Sequence, residues 1–255
     1  MRAGASHAAL PLFLMAWAVL VAGGPARAAG GDVPAPVEVA PGVYMMQGAR
    51  GEPDPANLGR IGNAGFIVGD SGVIAIDTGT SRRQGVALLE AIGRVTNQPV
   101  RLALITHARQ EFVFGAAAYR ERGIPVQMHR KAALLMAARC ENCLKILRRT
   151  LGEEEMRGTA VFKPDRDFEE GMVLDVIGRP VRVLYHGHSS GPGDIAVLDE
   201  KTGTLFAGGL LDNQRIPDIQ DCDLEGWRNA LAALRQAGAR TAVPGHGPAA
   251  PVPEA

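Results

Sequence analysis

The chain has 255 residues, enough for one large domain with a sizeable core. Apolar residues make up 46%, which excludes a disordered or fibrous chain. Basic and acidic residues balance at 27 each, so the chain has no electrostatic footprint for nucleic acid.

The first residues read as a secretory signal peptide over residues 1–28. Arg2 supplies a positive start, Ala8 to Ala22 is a continuous apolar run, and Ala26-Arg27-Ala28 is a small-x-small cleavage site. The run is short for a membrane span, so no stable membrane anchor is expected after cleavage. The expected location is therefore periplasmic or secreted. Residues 29–41, rich in Ala, Pro and Gly, read as a flexible leader. Residues 42–255 read as one domain, because no Pro/Gly/Ser-rich linker divides them.

Within that domain GVYMMQG predicts a strand, and GNAGFIVGD with SGVIAIDTG predicts a hairpin around Gly69-Asp70-Ser71-Gly72. Val86, Leu89, Ile92 and Val95 recur at helical spacing over residues 81–95, with Ser81 as N-cap. VRLALIT predicts a buried strand, residues 112–122 a helix, PVQMH a strand, and residues 130–151 the longest helix. MVLDVIG, RPVRVLYH, DIAVLD and TLFAGG are further strands, the last two joined by a turn at residues 200–203. A helix over residues 224–236 precedes TAVPGHG. Two runs of strands, each with helices attached, predict an α/β (α+β) fold: an αββα sandwich of two mixed sheets with helices outside.

Export would place the cysteines in an oxidising compartment. Cys140 and Cys143 form a CxxC inside the longest helix, where Met136, Cys140, Cys143, Leu144, Leu147 and Leu151 share one face. Two small core residues and a local disulfide are both open readings. A thioredoxin-like pair fits less well, since that motif opens a helix rather than sitting inside one. Cys222 reads as a buried free thiol.

Four loops follow apolar strands: Asp77-Thr78-Gly79, Thr106-His107 to Gly115, Gly187-His188 to Asp194, and Pro244-Gly245-His246-Gly247. Three of the chain's six histidines stand in these turns, where rigid scaffolds place functional groups. The order of the loops resembles the metallo-β-lactamase superfamily. With the GNAGFIV, AIDTG, ARCENCLKILRRTLG, LFAGG and VPGHGP segments, it resembles the exported proteins called quinoprotein relay system zinc metallohydrolases, from about Gly42 to Pro248.

The resemblance implies the same sandwich and a dinuclear zinc site whose loop reads T-H-x-H-x-D-H. His107 matches the first ligand, and His188 and His246 match the later histidines. Glu111 replaces an aspartate conservatively. Arg109 and Phe112 stand at two histidine positions, and Gly209 stands at the bridging aspartate. One zinc would use the positions of His107, Arg109 and His188, and the other those of Glu111, Phe112 and His246. Each half-site keeps two protein ligands, where catalytic zinc takes three and a water. Two-metal sites hold their ions roughly 3.5–4 Å apart. One displaced ion could therefore draw on His107, Glu111, His188 and His246 together, so the expected cofactor is at most one zinc or none.

Arg109 opposes even that. Its charge about 4 Å from a divalent ion would repel it by roughly 8 kcal/mol at an effective dielectric near 20. Pairing with Glu111 would let the guanidinium replace the metal and bind an anion. Asp77, if family-like, would lie under the histidine loop and orient a ligand. Asp194 reads as structural, Asp212 as a weak substitute ligand, His186 as facing away and His129 as a surface residue.

Two functions follow. The first is an exported, non-catalytic protein with a dismantled site that binds a small anionic molecule or a periplasmic protein partner. The alternative is a single-zinc hydrolase of an ester, thioester or lactone-like substrate.

Overall fold

The computed structural model describes residue 1 and residues 33–252. The expected signal peptide, Met1 aside, lies outside the described residues. Internal contacts divide the chain into Met1–Gly31 and Asp32–Ala255, and the fold is that of the second unit. Among the described residues no helix is long and apolar enough to cross a membrane.

The first half runs β1 (Val37–Ala40), β2 (Val43–Met46), β3 (Ala64–Val68), β4 (Val73–Ile76), α1 (Arg82–Val95), β5 (Val100–Ile105), α2 (Gln110–Val113), α3 (Ala116–Arg120), β6 (Val126–His129), α4 (Arg130–Leu151) and β7 (Arg166–Phe168). The second runs β8 (Met172–Leu174), β9 (Val181–Leu184), β10 (Ala196–Asp199), β11 (Thr204–Asp212), α5 (Leu224–Arg235), β12 (Thr241–His246) and β13 (Ala250–Pro251). Among the described residues, β1 to β7 form one sheet in sequence order, and a second sheet has the order β13-β12-β11-β10-β9-β8. Both are mixed: β4 to β7 pair in parallel, as do β11 and β12, and the other pairs are antiparallel.

Strand alternation builds the layers. In β4, Ile74 and Ile76 face the other sheet, whereas Val73 and Ala75 face the helices. In β5, Leu102 and Leu104 point inward, and Ala103 and Ile105 point to the helices. Val197 and Phe206 complete the inter-sheet core from β10 and β11, while Leu198, Leu205 and Ala207 pack outward with Trp227, Ala230 and Leu234 of α5. Each fully buried Val, Leu, Ile or Phe side chain among them stabilises by about 1.5–3 kcal/mol. The result is the expected αββα sandwich.

Local signals account for the helix starts. Ser81 Oγ accepts from Gln84 N at 3.0 Å and caps α1. Asp223 caps α5 by accepting from Glu225 N and Gly226 N.

Three local expectations differ from the structure. Residues 37–40, assigned to the leader by composition, pair with β2 as an edge strand. The helix expected over 112–122 is two short pieces, because Gly115 presses against the 77–79 loop; a Cβ there would lie 1.8 Å from the Thr78 carbonyl oxygen. His129 is buried rather than on the surface. Its Nδ1 accepts from Lys131 N at 3.1 Å to cap α4, and its ring stacks on Tyr185 at 3.9 Å.

Strands β5, β11 and β12 end at one edge of the sandwich. Asp212 and His246 are register partners across β11 and β12, so this parallel pair sets two side chains of the candidate site beside each other.

Candidate functional site

The loop after β5 is tied to the loop after β4. Thr78 N and Thr78 Oγ1 both donate to the Phe112 carbonyl, at 2.9 and 2.8 Å, and Gly115 N donates to the Gly79 carbonyl at 2.9 Å. Beneath them Asp77 holds a left-handed backbone, φ 60°. Its carboxylate accepts from Thr106 N and from Thr106 Oγ1, both at 2.8 Å. The Thr106 hydroxyl lies 2.7 Å from His107 Nδ1. Since that hydroxyl donates to Asp77, it accepts from His107 Nδ1–H, which leaves the lone pair on Nε2. Asp77 therefore reaches His107 through the Thr106 hydroxyl and not directly. The hydroxyl at 106 is a site residue that motif matching missed; the signal was its place directly before the histidine.

Burial pushes the Asp77 carboxyl up to about 7 against the hydrogen bonds from Thr106, with Asp194 and Glu111 adding to the rise. Burial also pushes the His107 imidazole well below its usual value, helped by the charges of Arg109 and His246. Both influences disfavour the charged form of His107.

His246 sits between two carboxylates. Nδ1 donates to Asp212 at 2.8 Å, and Nε2 lies 3.2 Å from Glu111 Oε1. Burial lowers its basicity, but the hydrogen bonds and charges of Asp212 and Glu111 outweigh that and raise it to about 9. Phe112 is fully buried between the histidines, its ring 4.2 Å from His107 and 5.4 Å from His246.

The structure corrects the expected partner of Arg109. The guanidinium does not pair with Glu111; it forms an ion pair with Asp218, and Nη2 also donates to the Asp218 carbonyl at 3.3 Å. Glu111 already meets His246. Asp212 orients His246 instead of serving as a spare ligand. Asp194 is buried, accepts from Ser190 Oγ at 2.6 Å, and is raised to about 6 by burial against that bond.

His107, Arg109, Glu111 and His246 border one cavity of about 740 Å³, also walled by α4 and the segment from Arg215 to Asp221. His188 does not join them on that wall. It is exposed, and its Nε2 donates to the Asp221 carbonyl at 2.7 Å.

Zinc fits this donor set poorly. A catalytic site takes three protein ligands around a tetrahedral ion. On the Glu111–His246 side, the third ligand position is the Phe112 ring. On the His107 side, the partner positions hold Arg109 and a His188 whose Nε2 is already engaged. Gly209 has no side chain with which to bridge two ions, and a Cβ there would crowd His107 Cδ2 at 2.8 Å and Asp194 Oδ2 at 2.9 Å. Among the described residues no three His, Cys, Asp or Glu side chains gather to hold a metal ion.

A family model described as the metallo-beta-lactamase superfamily matches residues 58–246. No curated protein sequence matches the chain. Several solved structures share its fold. A metallo-beta-lactamase from Pontibacter korlensis is 21% identical, with a TM-score of 0.69 over 85% of this chain and 92% of its own. FIM-1 from Pseudomonas aeruginosa, described in a mono-zinc form, is 22% identical, with a TM-score of 0.68 over 86% and 91%. A metallo-beta-lactamase from Hirschia baltica is 20% identical, with a TM-score of 0.67 over 85% and 91%. These identities speak to the fold alone. The family match runs from before β3 to the end of β12 and takes in His107, His188 and His246; the chain belongs to the metallo-β-lactamase superfamily.

Proposed function

We propose that this chain is an exported, metal-independent binding protein built on a hydrolase fold, and that its cavity takes a small anionic molecule. The observation that carries the reading is Phe112. It fills the space between His107 and His246 and leaves Glu111 and His246 without a third ligand beside them. Arg109 is the group that meets the ligand. Its present partner, Asp218, is an exposed carboxylate held through one oxygen and its main-chain carbonyl, and a ligand carboxylate or phosphate could engage both guanidinium nitrogens in its place. Service in a quinoprotein oxidation system, with a periplasmic protein partner, rests on the sequence resemblance alone.

Titration calorimetry with inorganic phosphate and with acetate tests the reading. Arg109→Ala is expected to abolish binding, and Asp218→Asn to strengthen it by removing the competing carboxylate. Anion affinities unchanged by Arg109→Ala would overturn it.

A second reading has one specific support. The Thr106 hydroxyl fixes His107 with its Nε2 lone pair available, which is the ligand-competent tautomer. A single-zinc hydrolase would use that nitrogen, with Glu111 and His246 turned from each other toward the ion. The zinc would then supply Lewis acidity and an activated water.

A further inference from the structure

Helix α4 carries a thiol pair that neither functional reading uses. Cys140 and Cys143 stand one turn apart, both as free cysteines. Cys140 is buried at 1% exposure, packed in the core with Met136, Leu144 and Leu147. Cys143 is half-buried. Both border the cavity that Glu111 and His246 also border, so the pair lies on the helical wall opposite the histidine loop.

The helix works against closure of the pair on itself. Residues three apart on a helix hold their Cβ atoms about 5–6 Å apart, whereas a disulfide needs about 3.5–4.5 Å. Here α4 continues through both cysteines to Leu151, so an internal disulfide would distort a formed turn. An external sulfur meets no such obstacle at Cys143.

The surroundings also divide the two thiols. The neighbouring Cys140 thiol is the main influence lowering the Cys143 thiol, and Arg139 assists; burial and the charge of Glu111 oppose. Cys140 is driven upward by its neighbour Cys143 and by burial. Arg139, Glu141 and Lys145 face the pair from α4, and Glu111 from α2. As a thiol, Cys143 would donate to the Arg139 carbonyl at 3.5 Å.

We propose that Cys143 is a nucleophilic thiol of this cavity that forms a mixed disulfide with low-molecular-weight disulfides, and that the buried Cys140 one turn away is its positioning neighbour. The Cys143 thiolate attacks one sulfur of the incoming disulfide. A new S–S bond forms, the old one breaks, and the other half leaves with the electron pair as a thiolate that takes a proton from water. Cys143 is oxidised and the departing sulfur reduced. A free thiol of the surroundings reverses the step by the same exchange. This site is independent of both the anion and the zinc readings.

The reduced, desalted chain is mixed with 2-hydroxyethyl disulfide and followed by intact-protein mass spectrometry with peptide mapping. The expected product is one adduct on Cys143, formed at least about tenfold faster than on Cys222 at neutral pH. Cys143→Ser is expected to lose it. Cys140→Ala is expected to retain the adduct but move the midpoint of its pH–rate profile up toward about 8.5, the value of a free cysteine. Equal reactivity at Cys222, an internal Cys140–Cys143 disulfide as the product, or an unmoved midpoint in Cys140→Ala would each overturn the proposal.

Discussion

The two ends of the second sheet hold charge in opposite ways. At one end Arg179, just before β9, meets Asp199 at the end of β10 through two contacts of 2.6 Å. The same guanidinium donates to the carbonyls of Val68 at 2.9 Å and Pro41 at 3.0 Å, joining the two sheets. Both side chains are buried, and Thr202 N adds a further donor to the Asp199 carboxylate at 2.9 Å. At the other end Arg109 pairs with an exposed Asp218, and His246 is shared by two carboxylates beside an open cavity. The first end is a closed network whose charges have no further business with solvent. The second keeps charged groups at a cavity wall, where a ligand can compete for them.

If the comparison is sound, breaking the closed end costs most. Arg179→Met leaves the Asp199 carboxylate buried without its counter-charge, and urea denaturation should show a loss of about 3–5 kcal/mol. A loss below about 1 kcal/mol would erase the contrast between the ends. The same pair predicts an acid limb. Burial raises the Asp199 carboxyl, but Arg179 and Thr202 together hold it below its ordinary value. A depressed carboxyl contributes stability that is present above its unfolded value of about 3.9 and is lost as pH falls through its folded value. The wild type should therefore lose stability more steeply than Arg179→Met in that window, and parallel acid curves would contradict the assignment.

The middle case is Thr106→Val. It removes the hydroxyl that serves both Asp77 and His107 while nearly keeping the side chain's shape. The expected loss is about 1–3 kcal/mol, because two buried polar groups lose a partner. The smallest effect belongs to Arg109→Ala. Its ion pair with a largely exposed carboxylate should contribute no more than about 1 kcal/mol to stability, although the same substitution is expected to remove the proposed anion binding. A large stability loss there would make Arg109 a structural residue.

The fold was legible because it rests on local repetition. The apolar runs VIAI and VRLALI, the Ser81 cap and the helical face of α4 all lie within a few residues of their causes. The short strands β7 and β13 carry too few residues to show a pattern. The site was legible in its residues but not in its pairings. The three histidines and the substitutions at Arg109, Phe112 and Gly209 stand in the sequence. That Arg109 reaches Asp218 and that His246 reaches Glu111 depends on how distant loops meet across the sandwich edge. His188 shows the same limit: its place in the motif says ligand, while the 213–223 segment engages it through the Asp221 carbonyl.

The most direct measurement is zinc content. The chain from Ala29 would be purified without chelator or histidine tag, incubated with excess zinc, desalted and analysed by elemental mass spectrometry beside His107→Ala and His188→Ala. The account predicts no stoichiometric zinc in any of the three proteins. One zinc per wild-type chain, lost in His107→Ala, would contradict it. The cavity would then hold a metal despite Phe112 and Arg109, and the hydrolase reading would replace the binding one.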